Sequence, residues 1–243
     1  MARTPTKNIT TMQAKDNLVQ ILHLLQFADS ALPVGGFSFS NSLESAVQYG
    51  FVSDADTLAQ YAAAAMQLAS TTDCVAARTA YKATLAGDFA RIVEADRALC
   101  ERKLCAEQRS MSQRMGRKLA ELSTTFGDNA TLRRWLCSIG SGEVVGSYAV
   151  GQGICFAVCG ISEREMFGAM LYGVASMTLN ASLRLMRISH LATQRILYDL
   201  ATRIDGLYAQ SEGLTLDEMY AFAPQIDLLS SLHEKGRSRM FMN

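Results

Sequence analysis

The chain has 243 residues, enough to bury a sizeable core, and no proline-rich or low-complexity linker divides it, so one domain is expected. Lys+Arg and Asp+Glu are equal at 23 each, which leaves no electrostatic footprint for nucleic acid or an anionic membrane. The first fifteen residues lack the apolar core of a secretory signal and the sequence offers no evident 18-residue uncharged apolar run, so a cytoplasmic protein with six reduced thiols is expected.

Only Pro5, Pro33 and Pro224 occur, so nothing but glycine interrupts helices between the last two. Val and Ile are sparse against Ala, Leu and Met, and no sustained period-2 alternation is present, so the fold is predicted to be all-α, a single-domain bundle of roughly ten helices. A flexible segment is expected over 1–15, the helical domain over 16–230 and a C-terminal partner-binding tail over 231–243.

The first helix should begin near Asp16, carry Leu18, Ile21, Leu22 and Leu25 on one face, and end before the Asp29 to Gly36 break. Asn41 with Glu44 reads as an N-cap and its returning carboxylate, opening a helix that stops at Gly50; Ser53 with Asp56 opens the next. Stops are expected at Gly87, Gly127, Gly140 to Gly142 and Gly160. Ser162 with Glu165 is a capping box for a helix to about Arg187; helices then follow over Thr193 to Arg203, from Thr215 with Glu218, and from Pro224.

No enzyme signature survives its own geometric requirements. There is no phosphate loop, Gly140-Ser141-Gly142 and Gly151-Gln152-Gly153 lack the third glycine of a dinucleotide site, and Arg237 stands where a zinc-protease signature from His233-Glu234 needs its second histidine. Cys155 and Cys159 share a helix face, but two thiols make no metal site, and buried packing is the simpler role.

Two segments stand out. Pro33, Gly35 and Gly36 form a turn carrying Phe37, Ser38, Phe39 and Ser40, with Glu44 just beyond; at least one aromatic should plug the core, while the pair flanking the serines could equally dock a partner. Near the other end His233, Glu234, Ser238, Arg239, Met240 and Phe241 mix cations with apolar anchors, an interface composition in a tail that could order on meeting a partner.

These residues resemble the urease accessory protein UreF family. The run Leu24 to Ser38 with Ser40 and Leu43-Glu44 looks like that family's N-terminal signature, and His233-Glu234, Ser238-Arg239 and Phe241 are similar to its ending; weaker echoes lie at Arg109 to Arg117 and at His190 with Gln194 to Leu197. Ser42 stands where the family usually has glycine, Arg187 where it has proline, Arg237 where it often has tyrosine, and Phe37 where many members have tyrosine.

The resemblance implies an all-helical, non-catalytic bridge, commonly dimeric, between the GTPase UreG and the scaffold UreD or UreH. It would couple GTP hydrolysis to nickel insertion into apo-urease. The contact residues would be Pro33, Gly35, Gly36, Phe37, Ser38, Ser40, Glu44, His233, Glu234, Ser238, Arg239 and Phe241, the last two as tail anchors. No cofactor would be bound permanently: nickel would be cargo, and GTP would belong to the partner. The rival reading is a direct nickel chaperone using His190, His233 or the cysteines.

Overall fold

The computed structural model describes residues 9–221, 223–234 and 239–242. Among them are twelve α-helices, one short 3-10 turn and no strand, so the all-α expectation holds with more helices than the ten expected. They are α1 (Ile9–Ala28), the turn Gly36–Ser38, α2 (Leu43–Gln48), α3 (Ala55–Thr71), α4 (Asp73–Ala86), α5 (Phe89–Arg102) and α6 (Ala106–Ser123). Then come α7 (Ala130–Ser141), α8 (Tyr148–Val158), α9 (Glu163–Leu185), α10 (His190–Ala201), α11 (Ile204–Ser211) and α12 (Pro224–Glu234).

The core is centred on α4 and α8, the most extensive helix pair, with α3, α5, α6 and α9 around them. Small residues permit the approach: Cys74, Val75, Ala76, Ala77 and Ala80 are all buried on α4, and Gly153 of α8 faces the carbonyl of Ala77 so closely that a Cβ there would lie 2.3 Å from its oxygen. Trp135 of α7 is fully buried against this layer.

Two buried charges fasten helix ends to this core, as orphan backbone groups at helix termini require. From α5, the buried Asp96 accepts the N–H groups of Val145, Gly146 and Ser147 at 2.7, 3.0 and 2.8 Å, holding the segment that opens α8. From α4, Arg78 donates to the carbonyls of Ser211 and Glu212 at 2.5 and 2.6 Å where α11 ends, pairs with Glu163 at 2.9 Å, and lies over the Tyr208 ring. This cap from a distant helix makes the short α11 possible.

Several boundaries differ from the sequence reading. The first helix starts at Ile9, because nothing between Ile9 and Asp16 breaks it. Its stripe of Leu18, Ile21, Leu22 and Leu25 faces outward, with Leu18 and Leu25 both 60% exposed, while Leu24 and Phe27 pack on the core. Asn41 does not cap α2. Asn41 and Ser42 both take left-handed backbone, at φ 58° and 64°, and the helix begins only at Leu43. Gln48 ends α2 two residues before Gly50.

The next cap is Asp54 with Thr57, one residue beyond the expected pair, since Thr57 closes the box with both its N–H and its hydroxyl. Gly87 and Gly142 are left-handed helix stops as read, and Ser162 with Glu165 forms the expected capping box, but α6 ends at Ser123, four residues before Gly127. Glu218 returns its carboxylate to the Thr215 N–H and hydroxyl, at 2.9 and 2.8 Å, yet only a single turn follows.

Contrary to the reading of apolar runs, α9 is long and apolar enough to cross a membrane by length and composition. With 56% of that stretch buried inside the domain, it is the core helix on which α3 and α10 pack.

All six cysteines are free. Burial pushes the Cys155 thiol up to about 12, well above the range of a reactive thiolate.

Candidate docking site

After α1 the chain turns on Asp29, whose carboxylate accepts the N–H of Ala31 at 2.8 Å. Leu32 and Val34 point into the core and leave Pro33 between them exposed. Gly35 takes φ +85°, a left-handed conformation that favours glycine, and this starts the Gly36–Ser38 turn. The turn divides the two aromatics: Phe39 is buried, whereas Phe37 is 75% exposed at the tip. Ser40 is fully buried, its hydroxyl 3.4 Å from the Glu44 N–H.

The loop roofs a largely apolar cleft of about 430 Å3, lined among others by Phe27, Leu32, Met115, Met177 and Phe241.

Glu44 is not a returning cap: it is the centre of a cluster built from both ends of the chain. Its Oε2 lies 3.1 Å from His233 Nε2 and accepts the Phe241 N–H at 3.0 Å, while its Oε1 accepts the Met240 N–H at 2.7 Å. The other ring nitrogen, His233 Nδ1, lies 2.7 Å from Glu107 Oε2 on α6. Arg239 pairs with the second oxygen of Glu107, and Glu234 returns to accept the Glu107 N–H at 3.0 Å in the first turn of α6.

Burial alone would raise the Glu44 carboxyl. The N–H groups of Met240 and Phe241 and the His233 ring outweigh it and hold the group below the ordinary carboxylate range.

Further ties bind α12 and the tail to the loop. The Ser42 and Ser230 hydroxyls are hydrogen-bonded, and Gln108 donates to Ser230 at 2.9 Å. These contacts hold Ser42 in its left-handed conformation, which a side chain otherwise disfavours. Met242 N–H donates to the Ser38 carbonyl at 2.8 Å. Phe241 is buried, with the Arg184 guanidinium 4.3 Å from its ring centre. Met240 and Met242 are each 55% exposed, and the Arg114 guanidinium reaches the Met242 sulfur at 3.2 Å.

Of the expected contact residues, then, Pro33, Phe37, Glu234 and Arg239 reach the surface. Gly35, Gly36 and Ser38 shape the loop and are partly covered, Ser40, His233 and Phe241 are interior, and Glu44 joins the two segments. Ser238 lies outside the described residues. Among the described residues, no group of three or more His, Cys, Asp or Glu is placed to hold a metal ion.

The sequence of one family model, UreF, matches residues 52–201, a span lying between the two end segments. Over 227 residues the chain is 45% identical to urease accessory protein UreF 1 of Brucella melitensis, covering 93% of this chain and 94% of that one. It is 45% identical to urease accessory protein UreF 2 of Brucella canis, covering 93% of each chain. It is 39% identical to urease accessory protein UreF of Yersinia enterocolitica, covering 93% of this chain and all of that one. The chain belongs to the UreF family.

Within this UreF chain, sequence reasoning missed Glu107, Gln108 and Ser230, which complete the cluster. Glu107 stands in the first turn of α6, where a carboxylate is favoured by the helix dipole anyway, so its second role had no separate signal. The one usable hint was its closeness to the segment from Arg109 that already echoed the UreF pattern.

Proposed function

We propose that this chain is a non-catalytic, cytoplasmic scaffold of urease maturation. It bridges a UreG-type GTPase and a UreD/UreH-type scaffold, acts as a homodimer, and couples GTP hydrolysis to nickel insertion into apo-urease. Family membership and the names of its relatives support the pathway. The observation that carries the bridging role is the junction of loop and tail: Met242 N–H bonds the carbonyl of Ser38, the residue after the exposed Phe37, Arg114 reaches the exposed Met242 sulfur, and Met240 and Arg239 are exposed on the same short tail.

Exposed aromatic and methionine side chains beside arginines are the composition of a protein interface. Nickel is cargo in this scheme and GTP is the partner's ligand. Coupling requires only that one nucleotide state of the GTPase bind this junction better than the other.

The test is co-expression with the candidate GTPase and scaffold. Arg239→Ala is expected to keep the helical fold and to lose co-purification and nickel loading of apo-urease; a variant complex that forms and activates as wild type does would overturn the docking role. The outward stripe of α1 supports the dimer. Leu22→Arg is expected to convert the dimer to monomer in size-exclusion chromatography with light scattering, and an unchanged mass would place the dimer contact elsewhere.

A further inference from the structure

Both ring nitrogens of the buried His233 face carboxylate oxygens, Nδ1 toward Glu107 and Nε2 toward Glu44. A carboxylate only accepts, and only the imidazolium form donates from both nitrogens. A neutral ring keeps one N–H and points a lone pair at the other carboxylate, with no water space between them.

The shorter contact is to Glu107, 2.7 Å against 3.1 Å, which favours the Nδ1–H form of the neutral ring; in that form the Nε2 lone pair faces Glu44 and repels it. Glu44 is the group that holds the Met240 and Phe241 amides.

We propose that His233 is a protonation-operated latch: as an imidazolium it bridges Glu44 and Glu107 and fixes residues 239–242 on the loop, and as a neutral ring it releases Glu44 and frees them. The proton passes to solvent base, and nothing else changes hands.

The surrounding charges fit a cationic ring. Facing it are Glu44 from α2 and Glu107 from α6; Glu234, the next residue of α12, and Arg239 of the tail both act on Glu107. Among the described residues the only cation paired in this cluster besides the ring is Arg239, on the far oxygen of Glu107. Glu44 faces the ring as an acceptor, because its two oxygens already take the Met240 and Phe241 N–H groups, which only a carboxylate serves with both oxygens.

The latch also deepens the docking reading, since opening it would carry the exposed Met240 and Met242 away from the loop that bears Phe37. It is nevertheless read in the isolated chain, so its failure and the failure of docking are told apart.

Amide hydrogen exchange at Met240, Phe241 and Met242 is measured on the full chain at about pH 6 and about pH 9, corrected for the intrinsic rate, with α8 amides as the internal standard. Protection of the three tail amides is expected to fall roughly tenfold at the higher pH while α8 is unchanged. His233→Gln, which can donate to only one carboxylate, is expected to show low, pH-independent protection. Glu107→Gln places an amide donor opposite Nδ1, leaves the Nε2 proton for Glu44, and is expected to keep the tail protected at both values. Equal tail protection at both pH values in the wild type, or an unaltered pH dependence in Glu107→Gln, would overturn the latch.

Discussion

Gly153→Val is expected to cost several kcal/mol and to leave little folded protein. The Cβ alone would sit 2.3 Å from the Ala77 carbonyl oxygen and 3.0 Å from its carbon, and neither is the end of a flexible side chain that can swing aside. Relief therefore requires α8 to lift from α4, which opens the most extensive helix pair among the described residues. Overpacking of a tight core costs about 1–3 kcal/mol where side chains can adjust, and more where backbone must move.

Because the net stability of a domain is only about 5–15 kcal/mol, a loss of this size shifts a large share of the population. Urea unfolding followed by far-UV circular dichroism and by the fluorescence of the buried Trp135 measures it. Gly173→Ala is the matched control: it lies in α9 with open space at its Cβ and should be neutral or stabilising by about 1 kcal/mol. Equal midpoints for wild type and Gly153→Val would refute the close-approach account.

Glu44→Gln is expected to detach the tail while leaving the helical core folded. The substitution keeps the shape but removes the charge, and an amide presents a single acceptor oxygen where Met240 N–H, Phe241 N–H and the His233 ring now share two. At least one donor loses its partner, a cost of about 1–3 kcal/mol confined to the tail contacts. Exchange at residues 239–242 should rise, and limited proteolysis should cut after α12, with no change in the main unfolding transition. A tail as protected as in wild type would show that Phe241 burial and the Met242 to Ser38 bond suffice by themselves.

Acid should act on the same group. The Glu44 carboxyl is lowered from its ordinary 4.5, so its stabilising contribution is complete above that value and disappears as pH falls through the lower folded value. Tail release at the acid end is therefore expected below the usual carboxylate range.

What the sequence disclosed, and what it hid, divides along contact range. Ser162 and Glu165 are three residues apart, and Gly87 and Gly142 stop helices by their own backbone freedom, so these features were legible from local chemistry. Local rules failed where distant groups took over. Glu44 looked like a cap because it follows Asn41 by three, yet its oxygens serve residues beyond position 230. Asn41 and Ser42 could enter left-handed backbone because Ser230 and Tyr61 supply hydrogen bonds that no neighbour offers.

The α1 stripe had the right period but the opposite orientation, since a helix with two apolar faces does not say which one meets the core. Asp96 and Arg78 carry no local signal, because the backbone groups they bind open α8 and close α11 at about 50 and 130 residues' distance along the chain.

The meeting of Glu44 with Met240 and Phe241 also imposes an order in time. The loop and α2 are among the first segments made during synthesis, and the groups that satisfy Glu44 are among the last. A nascent or truncated chain stopping near residue 230 can pack α4, α8 and α9 yet carries Glu44 with no tail amides and no imidazole to bind. The junction of loop and tail is thus complete only on chains synthesised through Met242, and an unfinished copy leaves Glu44 and the Ser38 carbonyl without their tail donors.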